Sequence, residues 1–261
     1  MQALTTGNVA ALTTTQVQAL GGSQVAALTT SAVVALTTDQ VAAFTTTQVP
    51  SITTAQVQAL KADQVTALTT AQVTKLDTNQ VTAITNANVA ALSTAQVNAL
   101  STTQLTSLGT SQVQSLTAAV VAALTTDKLT ALTTTQVKAL TADQIGALTT
   151  TEAAAITTTQ VKVLGADQIR ALSTASVAAL TTTQLQALTD AQVSGLTNNT
   201  VSSFTTTQVA GLATGQVQLL ADSVVTGLST TQLTSLTTSQ VGALTASQVR
   251  SLSTTEVNAL T

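Results

Sequence analysis

Residues 13–20 read Thr-Thr-Thr-Gln-Val-Gln-Ala-Leu, and this eight-residue unit, called the octad below, repeats through the whole chain. Thr13 is position one of the octad and Leu20 is position eight. A large apolar residue occupies position eight at 33 places, from Leu4 to Leu260, without an insertion or a deletion. It is leucine except at Phe44, Ile52, Ile84, Ile156 and Phe204. The fold must therefore satisfy an unbroken period of eight residues.

An even period first suggests a β-strand, in which side chains alternate between two faces. Val17 and Leu20 would then point to opposite sides, which only a sheet buried on both faces accepts. The Thr and Gln residues of each octad could not be satisfied in such a sheet. In a helix, Val17 and Leu20 are three residues apart and share a face. The pattern therefore favours a helix.

Helix-start signals recur in the same frame. Thr13 and Gln16 have the spacing of a capping box, in which each side chain bonds the other residue's backbone N–H, and Leu12 and Val17 have that of a hydrophobic staple. Position one is Thr, Ser, Asp or Gly in 30 of 33 occurrences, and position four is Gln in 22 of 32. The exceptions at position one are Lys61, Ala213 and Ala221. Each octad is predicted to be a helix of about six residues with its own N-cap.

The charged residues agree with the helix direction that the caps predict. All ten Asp and Glu residues lie at positions one to four, and five of the seven Lys and Arg residues lie at position six or seven. Lys61 and Lys128 are the two exceptions. A helix start favours anions and a helix end favours cations. A strand gives no reason for this sorting.

Helices this short are marginal in water when isolated, so neighbouring octads must hold each other. Position seven is Ala, Ser or Gly in 29 of 32 octads, and such small side chains let backbones approach closely. We therefore predict an all-α solenoid, a superhelix of short capped helices, with Leu, Val and Ala inside and positions two, three and six facing water. Residues 1–261 are predicted to form a single array of about 32 octads without distinct capping repeats. Pro50 at position six should distort residues 45–52.

The composition offers little for chemistry. The chain has no His, Cys, Tyr or Trp, hence no imidazole base, thiolate or phenol, and we expect no enzyme, no catalytic residue and no cofactor. Asp39 and Asp63 are three octads apart, as are Asp143 and Asp167, and such pairs could share a cation if three octads made one turn. Acidic residues are also favoured near helix starts, and this explains the positions of these four residues without a cation. The same explanation applies to Glu152 and Glu256. No metal site is therefore predicted.

Two classes of partner are not expected either. Charged residues make up 7% of the chain and the net charge is −3, so a basic face for nucleic acid is missing. The longest apolar run, residues 118–124, is far shorter than the ~20 residues of a membrane span. We predict no nucleic-acid binding and no membrane insertion.

The segment Leu-Thr-Thr-Thr-Gln-Val-Gln-Ala-Leu at residues 12–20 resembles the first-helix segment of TAL-effector DNA-binding repeats. That resemblance is confined to this short segment. The octads lack the family's second helix and base-reading loop, so DNA binding is not implied. Over the whole chain, the octads are similar to Leu-Thr-Thr-x-Gln-Val-x-Ala tracts of large, repetitive bacterial surface or secreted proteins. This resemblance implies an extracellular or cell-surface setting and a spacer, stalk or filament role.

We therefore expect a structural protein that forms a rod, stalk or filament and associates with itself, end to end or laterally. The alternative is a binding module. Thr occupies position two in 22 of 32 octads and would form an exposed ladder for ice, carbohydrate or a protein partner. The sequence leaves the handedness of the superhelix and the number of octads per turn open.

Overall fold

The structure is a computed structural model that describes residues 6–260, in two compact units divided between Leu132 and Thr133. The first unit contains α1 (Thr6–Ala10), α2 (Thr14–Gln18), α3 (Gly22–Ala26), α4 (Thr30–Ala35), α5 (Thr38–Ala43), a 3-10 helix (Val49–Ser51), α6 (Thr54–Ala59), α7 (Ala62–Ala67), α8 (Thr70–Val73), α9 (Thr78–Ala83), α10 (Asn86–Ala91), α11 (Thr94–Ala99), α12 (Thr102–Ser107), α13 (Thr110–Ser115), α14 (Ala118–Val121) and α15 (Thr126–Ala131).

The second unit contains α16 (Thr134–Ala139), α17 (Ala142–Gly146), α18 (Thr150–Ala155), α19 (Thr158–Val161), α20 (Ala166–Ala171), α21 (Thr174–Ala179), α22 (Thr182–Gln186), α23 (Asp190–Ser194), α24 (Asn198–Val201), α25 (Thr206–Ala210), α26 (Thr214–Leu219), α27 (Asp222–Thr226), α28 (Thr230–Thr234), α29 (Thr238–Ala243), α30 (Ala246–Ser251) and α31 (Thr254–Ala259). Every octad within residues 6–260 thus carries one short helix, and this part of the chain holds no strand. The predicted all-α solenoid of one helix per octad is confirmed. The prediction that residues 1–261 form a single array stays a prediction.

The octad of α6 shows why each helix begins and ends where it does. Thr53 is extended, with φ −73° and ψ 157°, and its hydroxyl accepts a hydrogen bond from the backbone N–H of Gln56. The helix begins at the next residue. Leu60 returns to an extended conformation, with φ −56° and ψ 143°, after its N–H donates to the Val57 carbonyl at 3.2 Å. Positions eight and one are therefore the extended residues that separate α6 from its neighbours.

Positions five and eight form the apolar core of each unit. Val65 and Val97 are fully buried, and Leu100 is 2% exposed. Burying a Val or Leu side chain contributes about 1.5–3 kcal/mol, so a helix of this length is stabilised mainly by its neighbours. Position three is exposed in every octad of residues 6–260, while positions two and six are exposed or half-buried.

Helices three octads apart pack against each other in both units. In the first unit α6 contacts α9 and α7 contacts α10, and in the second α17 contacts α20 and α18 contacts α21. Octads next to each other in sequence therefore lie side by side within a turn, and octads three apart lie in successive turns. This arrangement sets which side chains of one turn meet the turn before.

Small residues allow this close stacking, as predicted. Position seven meets position two of the octad three earlier, where an added Cβ on Gly211 would lie 2.6 Å from Cγ2 of Thr182. The same contact joins Gly22, at position two, with Ser51, at position seven. This packing leaves Thr182 half-buried, whereas most position-two residues in residues 6–260 are exposed, as predicted.

The predicted distortion at Pro50 is confirmed. Residues 49–51 form a 3-10 helix where other octads have an α-helix, because proline cannot donate the helical hydrogen bond at position six. The distortion stays local. Gln48 still accepts the N–H of Thr45 at 2.8 Å and still reaches the previous turn.

None of the helices in residues 6–260 combines the length and the apolar character needed to cross a bilayer.

Candidate functional site

The most regular polar feature of the structure is the glutamine at position four, and Gln56 shows its geometry. Its Oε1 accepts the backbone N–H of Thr53 at 2.7 Å, and its own backbone N–H donates to the Thr53 hydroxyl at 3.2 Å. These two bonds are the capping box that the sequence predicts. They use only the oxygen of the side-chain amide.

The nitrogen of the same amide joins Gln56 to the turn before. Its Nε2 donates to the Leu28 carbonyl at 2.7 Å and to the Val25 carbonyl at 2.9 Å, and Gln56 is 2% exposed. The last carbonyls of a helix lack α-helical partners; here the Val25 carbonyl also accepts the N–H of Leu28 at 3.1 Å, and the Leu28 carbonyl has no partner in its own octad. Gln56 therefore caps the start of its own helix and the end of α3 at once.

This double contact recurs along both units. In at least seventeen octads the position-four Nε2 donates to the carbonyl of position five located 31 residues earlier. In nearly all of them it also donates to the carbonyl of position eight of the same earlier octad. We call these residues the glutamine ladder; they are Gln40, Gln48, Gln56, Gln64, Gln72, Gln80, Gln96, Gln104, Gln112, Gln168, Gln184, Gln192, Gln208, Gln216, Gln232, Gln240 and Gln248.

The glutamine ladder also sets the pitch that the sequence leaves open. Position four of one octad contacts the octad four earlier, whereas the helices themselves contact the helix three octads earlier. A turn therefore takes between three and four octads. In nearly all octads of the glutamine ladder two carbonyls of the earlier octad receive the same donor, so these octads share one register.

In two octads without glutamine at position four, another side chain reaches the position-eight carbonyl. Asn88 donates to the Leu60 carbonyl at 2.7 Å, and Ser176 donates to the Leu148 carbonyl at 2.8 Å, both 28 residues earlier. In the octad of Lys128, the N–H of the N-cap residue has a different acceptor. Asn98 of the previous turn accepts the N–H of Thr125, the N-cap residue of that octad, at 3.3 Å. Within the described residues no buried side-chain polar atom lacks a hydrogen bond.

Among the acidic residues considered as cation ligands or catalytic groups, Asp63, Asp167 and Glu152 form local contacts. Asp63 accepts the backbone N–H of Gln64 at 2.9 Å, and Asp167 forms an ion pair with Arg170 one helical turn later. Glu152 is buried and accepts both the N–H and the hydroxyl of Thr149. Residues 6–260 contain no cluster of three or more potential metal-ligating side chains.

Glu256 caps the last helix. Hydrogen bonds from the side chain and then the backbone of Ser253 lower the pKa of the Glu256 carboxyl below its ordinary value, and these bonds outweigh a small opposing effect of desolvation. Glu256 therefore serves as the carboxylate partner of a capping box.

A small cavity lies in the apolar interior of the second unit. It measures about 20 Å³ and is lined by Leu180, Leu196, Phe204 and other core side chains. It lies beside Thr200, which replaces a position-four glutamine. Pockets for small molecules measure about 300–1,000 Å³, so this gap is a packing defect and not a ligand site.

The second unit also presents a continuous exposed threonine surface. We call it the threonine column; it consists of the position-three residues Thr135, Thr159, Thr183, Thr207, Thr231 and Thr255, all of them exposed. Their helices, α16, α19, α22, α25, α28 and α31, stack one on the next. In the same phase of the first unit, position three is mixed: Thr15, Asp39, Asp63, Ala87 and Ser111.

A family model described as the ALTTAQ repeat matches residues 1–30, 25–54, 33–70, 81–118, 89–126, 121–150 and 163–198. These segments cover more than half of the 261 residues. Residues 67–72 spell Ala-Leu-Thr-Thr-Ala-Gln, so the name contains a core leucine, Leu68, an N-cap, Thr69, and a residue of the ladder, Gln72. A search of curated proteins finds no significant match to the chain.

Proposed function

Because this chain belongs to the ALTTAQ repeat family, we propose that it is a structural protein, a rod, stalk or filament subunit located on or outside a bacterial cell. The observation that carries the proposal is the glutamine ladder. Each added octad forms the same contacts with the octad four earlier, and the stability of such arrays is roughly a sum of per-repeat and nearest-neighbour terms. The length of the array can therefore increase with the number of octads, while the core contacts of each octad stay the same.

The cellular setting rests on a different argument. The octads are similar to the Leu-Thr-Thr-x-Gln-Val-x-Ala tracts of bacterial surface or secreted proteins, and charged residues make up only 7% of the chain. A polar, weakly charged threonine surface suits a spacer, because it offers little for nonspecific electrostatic binding.

The test is insertion in and out of the octad register. A copy of residues 157–180, which is three octads, is inserted after Leu180 once, twice or three times, and the matched control inserts a copy of residues 157–176 only. We expect each three-octad insertion to keep the helical circular dichroism per residue and to add a constant increment to the maximum dimension in small-angle X-ray scattering. The control breaks the register and should lose helical signal. Equal tolerance of both insertions, or a maximum dimension that does not grow, contradicts the proposal.

A binding module is the second candidate, and the threonine column is the observation that favours it. Six stacked octads expose threonine at the same position, which gives a repeating surface for ice, carbohydrate or a protein partner. The test is the double substitution Thr183→Lys and Thr207→Lys. Its control is Thr47→Lys with Thr103→Lys, at exposed position-three sites outside the column. Loss of ice-recrystallisation inhibition or glycan binding in the first variant alone supports a binding role, and absence of both activities in the unsubstituted protein counts against it.

A further inference from the structure

The glutamine ladder is distributed unevenly around the second unit. Position four is glutamine in α22, α25 and α28, which stack on one another, and in α23, α26 and α29, which form a second stack. In a third stack, made of α21, α24 and α27, position four is Ser176, Thr200 and Val224. We call this third stack the seam. Two sides of this part of the unit therefore carry the ladder, and the seam does not.

The glutamines on the two sides next to the seam tie successive turns together. Gln192 donates to the Leu164 carbonyl at 2.7 Å, and Gln208 donates to the Leu180 carbonyl at 2.7 Å. Both glutamines are buried, and each also accepts the N–H of its own N-cap residue at 2.7 or 2.8 Å. A single side chain thus satisfies the start of one helix and the end of an earlier one.

The seam lacks most of these bonds. The hydroxyl of Thr200 lies 3.2 Å from that of Thr197, and no residue that the structure describes donates to the Leu172 carbonyl, 28 residues earlier. Val224 has no polar side-chain atom, so the Leu196 carbonyl receives no donor from it either. In α21 the ladder is reduced to one bond, because serine donates only to the position-eight carbonyl. The turns are least tied at α24 and α27.

The helix starts at the seam are weaker as well. The N-cap residue of α27 is Ala221, which provides no side-chain hydrogen bond. In α24 the Thr197 hydroxyl accepts the N–H of Thr200 at 3.4 Å, against 3.1 Å for the corresponding bond to Gln208 in α25. α24 itself has only four residues. So short a helix depends on its neighbours, and here it has fewer hydrogen bonds to them.

Packing at the seam is incomplete too. The cavity of about 20 Å³ is lined by Thr200 together with Leu172 and Leu196, the residues whose carbonyls lack a donor. Side chains that border a gap lose contacts there, which lowers the stability of the surrounding structure. The polar ties and the apolar contacts are therefore deficient at the same place.

We propose that the seam is a hinge. Successive turns of the second unit separate first at α24 and α27, while the two sides that carry the glutamine ladder stay closed, so the unit bends about those sides. Local opening in proteins occurs where few buried contacts and few hydrogen bonds hold the backbone. An array tied equally on all sides would have no preferred direction of bending, whereas the seam supplies one. This inference goes beyond the proposed structural role and does not depend on it.

Hydrogen exchange of the unsubstituted protein gives the first test. The amides of α24 and α27 should have protection factors at least about tenfold lower than those of α23 and α25, the difference expected from one buried acceptor without its donor. Equal protection of these four helices overturns the inference. This measurement needs no substitution.

The second test restores the missing tie with Thr200→Gln. The introduced amide can accept the N–H of Thr197 and donate to the Leu172 carbonyl, so protection of α24 should rise at least about tenfold. The matched control is Asn199→Gln, at an exposed position of the same helix, which should leave protection unchanged. Val224→Gln repeats the comparison in α27. If both restoring variants gain no more protection than the control, the inference is overturned.

The bending itself is measured with pairs of spin labels, since the chain has no native cysteine. One pair, at Ala175→Cys and Ser223→Cys, spans the seam, and the other, at Thr183→Cys and Thr231→Cys, spans a side with the ladder. All four are exposed position-three sites.

Pulsed electron paramagnetic resonance should give a broader distance distribution for the seam pair. Thr200→Gln combined with Val224→Gln should narrow it to the width of the other pair. Equal widths in the otherwise unsubstituted protein, or a seam width that the two glutamines leave unchanged, overturn the inference. None of these results affects the insertion test, which decides the proposed structural role separately.

Discussion

Replacing Gln56 by glutamate isolates the contact between turns from the cap. The introduced carboxylate can still accept the N–H of Thr53, whereas the carbonyls of Val25 and Leu28 lose their shared donor at 2.9 and 2.7 Å. The Val25 carbonyl keeps the N–H of Leu28 at 3.1 Å, so the Leu28 carbonyl is the acceptor left without a donor, at a cost of about 1–3 kcal/mol. The new carboxylate is buried as well, because Gln56 is 2% exposed. We therefore expect a loss of at least about 3 kcal/mol in the free energy of unfolding.

The matched control is Gln58→Glu, at an exposed position of the same helix, and it should change stability by less than about 0.5 kcal/mol. Urea unfolding followed by circular dichroism measures both variants, and hydrogen exchange shows whether the loss is confined to the octads around α3 and α6. Burial and the facing carbonyls should raise the pKa of the carboxyl introduced by Gln56→Glu. The loss of stability caused by Gln56→Glu is then largest at neutral pH, where the carboxyl is charged. It decreases as pH falls through the raised pKa, because the protonated acid is neutral and can donate one hydrogen bond. Equal stability of the two variants at neutral pH would refute the role assigned to the glutamine ladder.

Three further substitutions follow from the same structure. Thr133→Ala removes the hydroxyl that accepts the Gln136 N–H at 3.2 Å and should cost about 1 kcal/mol in urea unfolding, against no change for Thr135→Ala at an exposed position. Pro50→Gln should convert the 3-10 helix of residues 49–51 to α-helix and add about 1–3 kcal/mol, seen as slower hydrogen exchange there. Because the pKa of Glu256 is lowered in the folded state, its contribution to α31 is present above the ordinary carboxyl pKa and lost as pH falls through the lowered one. Glu256→Gln should remove this acid dependence of amide exchange in α31, and an unchanged profile would contradict it.

The helix starts were predictable from sequence because a capping box is local. Thr53 and Gln56 are three residues apart, and every atom of the box belongs to one octad. Pro50 was equally predictable, since its effect on a helix does not depend on the neighbours. The burial of Val65 and Leu100 follows from their shared helical face.

The contact between turns was not predicted, because it joins octads that are four apart in sequence and depends on the pitch. The sequence does carry a signal for it. A capping box accepts Glu as readily as Gln, yet position four is Gln in 22 of 32 octads and Glu only at Glu152 and Glu256. An acceptor alone does not explain that preference, whereas a residue that must also donate does. The exposed threonine ladder predicted at position two stays a prediction, and the partial burial of Thr182 under Gly211 was not predicted because it depends on the pitch.

The register between turns is tested most directly by disulfide cross-linking, for which the chain is suited because it has no native cysteine. A Cβ on Gly22 would lie 3.4 Å from Cβ of Ser51, close to the separation of about 3.5–4.5 Å found in disulfides. The controls pair Gly22→Cys with Ala43→Cys or Ala59→Cys, which shifts the partner by one octad in either direction. The account predicts rapid intramolecular oxidation of Gly22→Cys with Ser51→Cys and none for the two shifted pairs. Preferential oxidation of a shifted pair, or equal oxidation of all three, would contradict it.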